Sequence, residues 1–257
     1  MLFEARSLTK RFGGLTAVSD VTFGIGEGEI VGIFGPNGSG KTTTLSLIAG
    51  MLTPTSGDLL WRGQEIVGKR PFEIAEMGIV KTFQNPQLFP ELTVLEHMRI
   101  ASHLSLKRAL GSKRLATLFW PRAAATFEAQ AEEKVQHMLR LCRLTEMKGE
   151  TAAALSYGAE KMLGVAMAMM CDPKLLLLDE PASGLGQEEI ASLEAVLRDL
   201  RAHGVTLCII DHKVGFLGRL ADRSIALAHG AAIAQGRTGD VLADEAVIEA
   251  YLGRKHA

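Results

Sequence analysis

The residues with the clearest chemistry form a glycine-rich run, residues 35–42, called the phosphate loop below. They match the pattern G-x-x-x-x-G-K-S/T, in which backbone N–H groups curl around phosphate oxygens. Lys41 should reach the terminal phosphates of a nucleotide, and the Thr42 hydroxyl should hold Mg²⁺. The alternative is a chance match, but an apolar strand precedes the run and a helix follows it. The residues predicted to bind the nucleotide here are Gly35, Pro36, Asn37, Gly38, Ser39, Gly40, Lys41, Thr42 and Thr43.

Two carboxylates follow an apolar run of four leucines at 175–178. Asp179 would stand at the end of a central strand, level with the phosphate loop, and would bind Mg²⁺ directly or through water. Glu180 would polarise or position the attacking water, as a general base does. The alternative, in which both residues cap the next helix, is opposed by Pro181, which separates them from it. The loop and the carboxylates together predict hydrolysis of a nucleoside triphosphate.

These residues need a framework of alternating strands and helices. Short apolar runs at 30–34, 175–178 and 205–210 predict strands that are buried on both faces of a parallel sheet. The other predicted elements are β segments at 2–6, 21–25, 58–61 and 79–82, helices at 42–51, 94–106, 123–142 and 187–203, a hairpin of 225–228 with 232–235, and an amphipathic segment at 241–252. The fold class is therefore α/β, a P-loop NTPase core with a mostly parallel sheet, a small antiparallel β region and an inserted helical subdomain.

The chain is long enough for one large domain, which we expect to span residues 1–257. Its core lobe would comprise about 1–85 and 161–240, its helical subdomain about 86–160, and its C-terminal helical tail about 241–257. A formal net charge of −1 argues against a general nucleic-acid binder. No apolar run approaches the ~20 residues of a membrane span, and the early Glu4 argues against an export signal. We therefore expect a reducing, cytoplasmic compartment, with Cys142, Cys171 and Cys208 as small core residues.

Three further features narrow the class of protein. Leu155-Ser156-Tyr157-Gly158 opens a predicted helix before the acidic strand, Gln84 follows the strand at 79–82, and His212 follows the strand at 205–210. With the phosphate loop and the acidic strand, this set resembles the nucleotide-binding subunits of ATP-binding-cassette (ABC) transporters over essentially the whole chain. The resemblance implies ATP and Mg²⁺ as cofactors.

The resemblance also implies roles for individual residues. Phe12 would stack on adenine, although a buried core aromatic is the alternative reading of that position. Gln84 would sense Mg²⁺ and the attacking water, and His212 would contact the γ-phosphate as a switch. Ser156 and the Gly158 N–H would bind the γ-phosphate of a nucleotide held by a second ABC ATPase subunit, at a helix N-terminus.

A finer resemblance is to the branched-chain amino-acid uptake branch of this family. It is carried by residues 82–94, the long insertion at 107–122, the form Leu-Ser-Tyr-Gly at 155–158, and the ending Ala250-Tyr251-Leu252-Gly253. Importers of urea, short amides or aromatic acids look much alike. The implied partners are two integral membrane permease subunits and an extracytoplasmic solute-binding protein, with this chain peripheral at the cytoplasmic face of the membrane. The basic insertion is either a solvated loop or a contact with anionic lipid headgroups or a partner.

Some positions depart from the family pattern. Ala159 stands where glutamine is usual, Gly186 stands where Asp or Asn would cross the dimer interface, and Asp211-His212-Lys213 replaces Glu-His-Asp. Residues for this chain's own nucleotide pocket are intact, whereas the changes at Ala159 and Gly186 fall on surfaces offered to the partner's pocket. We therefore expect a heterodimer with unequal sites. The alternative functions are a soluble ATPase acting on nucleic acid or ribosomes, and a nucleotide-binding scaffold that does not hydrolyse.

Overall fold

The structure, a computed structural model, describes the backbone of residues 1–110 and 121–252. Side chains are described for residues 1–102 and 128–251, so those of the basic insertion at 107–122, and Gly253, lie outside the described residues. The strands are β1 Phe3–Phe12, β2 Leu15–Ile25, β3 Ile30–Phe34, β4 Ser56–Trp61, β5 Gln64–Glu65, β6 Ile79–Lys81, β7 Leu175–Asp179, β8 Thr206–Ile210, β9 Arg223–Ala228 and β10 Ala231–Arg237. The helices are α1 Lys41–Ile48, α2 Pro71–Glu76, α3 Val94–Leu110, α4 Pro121–Leu141, α5 Tyr157–Met169, α6 Gln187–Ala202, α7 Val214–Leu220, α8 Thr238–Leu242 and α9 Glu245–Leu252.

A six-stranded sheet forms the centre of one compact unit, which comprises residues 1–84 and 174–257. Its order is β10-β9-β3-β8-β7-β6, and every neighbouring pair is parallel except β9 with β10. All residues of β3, β7 and β8 are buried, as expected for strands covered on both faces. The predicted parallel sheet is therefore confirmed.

A second, antiparallel sheet has the order β2-β1-β4-β5. Burial in β1 and β2 alternates where the strands pair, so one face contributes to a shared hydrophobic core. That core joins side chains of this sheet, such as Phe3 and Leu59, to α1 through Leu45 and to the parallel sheet through Leu177. The small antiparallel β region expected from the sequence is confirmed.

Residues 85–173 form the other compact unit, which is helical. Within it α3 packs against α4 and α5, and their facing side chains Met98, Leu139 and Leu163 are buried. The start of α3 carries a capping box, in which the Glu96 carboxylate accepts from the Thr93 N–H at 2.7 Å and the Thr93 hydroxyl accepts from the Glu96 N–H at 3.2 Å. None of the helices in the described part of the chain combines the length and the apolar character that a membrane span requires.

The C-terminal segment differs from its sequence-based prediction. A single amphipathic segment is predicted at 241–252, but the structure has two helices, α8 and α9. Asp244 separates them, because its Oδ1 accepts a hydrogen bond from the Ala246 N–H at 2.9 Å and so caps the start of α9. Short helices α2 and α7 were also absent from the prediction, although Pro71 at the first position of α2 is a start signal.

The buried thiols generate the first prediction. Burial raises the pKa of both Cys142 and Cys208 to about 12, whereas Cys171 is only partly buried. At pH 8 only about one in 10⁴ of a thiol with that pKa is ionised, and the thiolate is the reactive form. In the native protein, Ellman's reagent should therefore label Cys171 alone, and all three thiols after denaturation. Rapid native labelling of the Cys171→Ser variant would contradict the burial of the other two.

Candidate functional site

Neighbouring parallel strands bring the candidate site residues to one edge of the sheet. β8 lies between β3 and β7, with Ile33 and Asp179 both in register with Ile210. The segments that leave these three strands at their carboxyl ends are the phosphate loop, the pair Asp179-Glu180, and the stretch that begins at Asp211. Ligands of open α/β sheets bind at this edge.

Two glycines of the phosphate loop are required by close contacts. A Cβ on Gly35 would collide with the Leu227 carbonyl oxygen, and one on Gly40 would collide with the Ala17 carbonyl oxygen. Both also have a positive φ, of 155° and 97°, which side chains rarely adopt. The loop is therefore held tightly between β9 and β2.

Polar groups of the loop are arranged for an anion. The Lys41 Nζ donates to the carbonyl oxygens of Gly35 at 2.9 Å and Pro36 at 3.0 Å. Burial lowers the pKa of Lys41, and the charges of Glu180 and Asp179 oppose that shift. The Ser39 hydroxyl is buried, and within the described residues it has no hydrogen-bond partner. A buried hydroxyl without a partner is costly, so a phosphate oxygen at this loop fits the residues present.

Asp179 is paired with a lysine that the sequence prediction did not include. The Lys81 Nζ lies 3.0 Å from Asp179 Oδ2, and their side chains are 10% and 7% exposed. Lys81 is the last residue of β6, which neighbours β7, so the pairing follows from the strand order. The sequence signal that could have identified this ion pair was a basic residue at the end of the strand that precedes Gln84.

Glu180 connects the predicted catalytic residues. Its Oε2 accepts a hydrogen bond from Gln84 Nε2 at 2.8 Å and lies 3.9 Å from His212 Nδ1. Its backbone has φ = 49°, an uncommon conformation for a side-chain-bearing residue, and its N–H donates to the Ile210 carbonyl at 2.8 Å. The structure thus brings Gln84, Glu180 and His212 together.

The residues flanking His212 hold a neighbouring loop. Asp211 is fully buried and accepts from the Ala182 N–H at 2.9 Å and the Lys213 N–H at 2.8 Å. The Lys213 Nζ donates to the Leu185 carbonyl oxygen at 2.9 Å. The sequence marked 211–213 as a departure from the family pattern, but these contacts to the segment preceding Gly186 were not predicted.

A cavity of about 530 Å³ opens beside the loop. Its lining residues are Gly35, Pro36, Asn37, Glu180, His212 and Tyr251. Tyr251 was noted in the sequence only as part of the C-terminal ending, so its presence in this wall is an addition from the structure.

The remaining predicted residues lie elsewhere. Phe12 ends β1 with its ring 45% exposed and the Lys10 Nζ 5.1 Å from the ring centroid, so the alternative of a core aromatic is wrong. Ser156 and Gly158 belong to the helical unit. There the Ser156 side chain caps α5 by accepting from the Ala159 N–H at 3.2 Å.

A phosphate loop between a buried parallel strand and a helix, with carboxylates at the end of a nearby strand, defines a P-loop nucleoside triphosphatase. The particular family follows from comparison with known proteins. A family model described as "ABC transporter" matches residues 18–183, and one described as "Branched-chain amino acid ATP-binding cassette transporter" matches residues 233–257. The chain therefore belongs to the ATP-binding proteins of the ABC transporter family.

Full-length relatives agree with this assignment. The chain is 38% identical over 253 residues to the high-affinity branched-chain amino acid transport ATP-binding protein BraF of Pseudomonas aeruginosa, with 98% of each chain covered. It is 36% identical, with the same coverage, to LivG of Escherichia coli, which carries the same description. These relatives confirm the resemblance to the branched-chain amino-acid uptake branch of the ABC transporter family, which the sequence motifs indicated.

Solved structures support the fold. A nucleotide-free ATP-binding cassette from an ABC transporter shares 29% identity with a TM-score of 0.80, covering 98% of this chain and 99% of that one. A cassette solved in its ADP conformation shares 30% identity with a TM-score of 0.81 and the same coverage. The predicted ABC cassette fold is confirmed, and nucleotide binding is a property of the family.

The Lys81–Asp179 pair generates a stability prediction. Removing one partner of a buried ion pair leaves an uncompensated charge and costs about 3 kcal/mol. Lys81→Met should lower the free energy of unfolding by about that amount in urea denaturation of the nucleotide-free protein. The matched control is Arg99→Met, which breaks an exposed pair with Glu132 and should cost less than ~1 kcal/mol. Equal losses in the two variants would show that Asp179 does not depend on Lys81.

Proposed function

We propose that this chain binds ATP with Mg²⁺ and hydrolyses it as the ATPase subunit of an importer. The solutes would be branched-chain amino acids or a related small polar compound. The observation that carries the proposal is the meeting of the phosphate loop with Asp179, Glu180, Gln84 and His212 at one sheet edge. Family membership and the names of the full-length relatives supply the coupling to transport.

In this proposal the phosphate loop holds the triphosphate. Its backbone N–H groups and the Ser39 hydroxyl donate to phosphate oxygens, and Lys41 balances their charge. The buried Ser39 hydroxyl without a partner supports this role. Phe12 stacks on the adenine, which its exposed ring at the end of β1 allows.

Thr42, Asp179 and Gln84 would hold Mg²⁺, since hydroxyl, carboxylate and amide oxygens are the ligands this ion takes. When bound, the ion neutralises charge on the β- and γ-phosphate oxygens. Within the described residues, no group of three or more His, Cys, Asp or Glu side chains could hold a metal ion.

Glu180 is the proposed general base or water-positioning residue. The Gln84 amide, 2.8 Å from its carboxylate, would hold it in place, and His212 would contact the γ-phosphate. The positive φ of Glu180 supports a functional role, because strained backbone conformations concentrate at active sites.

The proposed assembly contains a second ABC ATPase subunit, two membrane permease subunits and an extracytoplasmic solute-binding protein, with no nucleic acid. Ser156 and the Gly158 N–H would bind the γ-phosphate held by the second ATPase subunit. The helical unit at 85–173 would contact the membrane subunits, which would locate the chain at the cytoplasmic face of the membrane. The core lobe, predicted at about 1–85 and 161–240, would bind the nucleotide, although residues 161–173 cluster with the helical unit. Residues of about 241–257 would form the C-terminal tail.

Two substitutions separate binding from hydrolysis. Glu180→Gln should reduce ATP turnover by at least ~100-fold and retain ATP binding, because it removes the base and leaves the phosphate loop intact. Lys41→Ala should lose both. Turnover is measured by phosphate release and binding by calorimetry, with Glu188→Gln, an exposed carboxylate in the first turn of α6, as the matched control. Wild-type turnover in Glu180→Gln would contradict the assigned role.

The importer function is tested with the same variant in the assembled transporter. The chain is purified with its membrane subunits and reconstituted in proteoliposomes with the solute-binding protein and labelled leucine. ATP-dependent leucine uptake that Glu180→Gln abolishes would support the proposal. ATP turnover without uptake of leucine, and with stimulation by urea or a short amide instead, would exclude branched-chain amino acids as the solute.

We further propose that this chain forms a heterodimer whose two ATP sites are unequal. Gly186 is exposed on a surface that would be offered to the partner's site. Ala159, which is buried at 8% exposure, lies directly after the Ser156–Gly158 stretch that would bind the partner's nucleotide, whereas residues of this chain's own site are intact. Glu180→Gln should therefore reduce turnover more than the equivalent substitution in the partner. Ala159→Gln combined with Gly186→Asn should raise turnover at the partner's site.

The design of that double variant follows from the structure around residue 186. A Cβ on Gly186 would lie 3.7 Å from Glu189 Oε2, an ordinary contact, so a side chain fits there. Asn is preferred to Asp because a second carboxylate beside Glu189 would be repelled. Equal effects of the two Glu→Gln substitutions would contradict unequal sites.

A further inference from the structure

An ion pair lies at the carboxylate that the proposed function assigns to Mg²⁺. The Lys81 Nζ donates to Asp179 Oδ2 at 3.0 Å, and little of either side chain is exposed. Asp179 is the one carboxylate among the three residues proposed to hold the ion. An ammonium group of the chain itself therefore occupies an oxygen that the ion would need.

The register of the sheet directs Lys81 to this carboxylate. Lys81 pairs in parallel register with Leu177, so the two side chains lie on the same face of the sheet. Asp179 is two residues beyond Leu177, which places it on that same face, about 6.6 Å further along the strand. The flexible four-carbon stem of lysine bridges this distance. The contact therefore depends on a long side chain at the last position of β6.

Stability of the sheet does not explain the pair. The residues before Lys81 in β6, Ile79 and Val80, are apolar and buried. Replacing a buried ion pair by apolar residues of similar volume is often neutral or stabilising, because both charges regain no hydration in the interior. Apolar side chains at positions 81 and 179 would thus complete the sheet about as well. The reason for Lys81 lies in the carboxylate that it accompanies.

The ammonium group also has a second neighbour. The Lys81 Nζ lies 5.6 Å from the centroid of the Phe83 ring, within the range of cation–π attraction. This contact does not use Asp179. Lys81 therefore keeps an attractive neighbour when it releases the carboxylate.

We propose that Lys81 is a positioning residue that takes the place of Mg²⁺ at Asp179 in the nucleotide-free protein. Its ammonium group neutralises the carboxylate, holds it at the edge of the sheet, and releases it when the metal-bound nucleotide enters the site. Asp179 thus accepts a divalent cation only together with a nucleotide, whose phosphate oxygens add the attraction that displaces Lys81. The inference rests on the proposed function and extends it, because it assigns control of metal binding to a lysine of β6.

The test uses Mn²⁺, which takes the same oxygen ligands as Mg²⁺ and whose unbound fraction is measured by EPR. Without nucleotide, Lys81→Met should bind Mn²⁺ at least ~10-fold more tightly than the wild-type protein, because the ammonium group no longer competes for Asp179. Lys81→Arg keeps the charge and should bind Mn²⁺ as the wild-type protein does. A lysine that served only to hold Asp179 in place would give the opposite sign. Weaker or unchanged Mn²⁺ binding in Lys81→Met would therefore overturn the inference.

Two controls locate the effect at Asp179. Adding Asp179→Asn to Lys81→Met should remove the gain in Mn²⁺ binding. Arg99→Met, which breaks an exposed ion pair with Glu132, should leave Mn²⁺ binding at the wild-type level. A gain that survives the Asp179→Asn substitution would mean that the cation binds elsewhere, and the inference would fail.

A second measurement needs no variant of Lys81. The wild-type protein is titrated with Mn²⁺ alone and with Mn²⁺ and ADP, and it should retain Mn²⁺ only when ADP is present. Tight binding of Mn²⁺ without nucleotide that Asp179→Asn abolishes would overturn the inference, even if Lys81→Met does not fold. Calorimetry with ATP and Mg²⁺ tests the proposed function separately. Absence of ATP binding there would refute the proposed function, whereas the titrations without nucleotide decide the role of Lys81.

Discussion

The parallel pairing of β3, β8 and β7 is the constraint on which the rest of the site depends. These strands are buried throughout, so a shift of register would force their apolar side chains to repack against the opposite covering layer and would misalign all three loops together. Their fixed register sets the phosphate loop, Asp179 and Asp211 at one edge. The chemistry is thus positioned by backbone hydrogen bonds and burial, and the loops themselves need supply only the functional groups.

That edge also carries three energetically unfavourable features. Lys41 is desolvated, the Ser39 hydroxyl is buried without a partner in the described structure, and Glu180 has a strained backbone. The unpaired Ser39 hydroxyl and the Glu180 backbone each cost on the order of 1–3 kcal/mol. The fold tolerates these features because the surrounding strands β3, β7 and β8 are buried throughout, and their packing holds the site in this conformation. A bound triphosphate would relieve the desolvation of Lys41 and give the Ser39 hydroxyl a partner. Part of the free energy of nucleotide binding would therefore come from removing these two costs.

The sequence predicted those parts of the site whose residues are adjacent in the chain. The phosphate loop and the pair Asp179-Glu180 are continuous motifs next to strong strand signals, and their location was recovered. Lys81, Lys213 and Tyr251 were not predicted as site residues, because their contacts join distant parts of the chain. Lys81 meets Asp179 across 98 residues, and Lys213 meets Leu185 across 28. The break between α8 and α9 was missed because one capping aspartate, Asp244, interrupts an otherwise continuous amphipathic pattern.

The residues around His212 and the loop that precedes Gly186 are connected by hydrogen bonds. Both residues that flank His212 are directed toward the segment 182–185, Asp211 through the Ala182 N–H and Lys213 through the Leu185 carbonyl. The Lys213 side chain is long enough to reach this carbonyl oxygen and donates to it. The segment that ends at Gly186 is therefore held from within the chain by the two residues that flank His212. The backbone before Gly186 is thus fixed by contacts within the chain, which is the condition that a contact with the proposed second subunit would need.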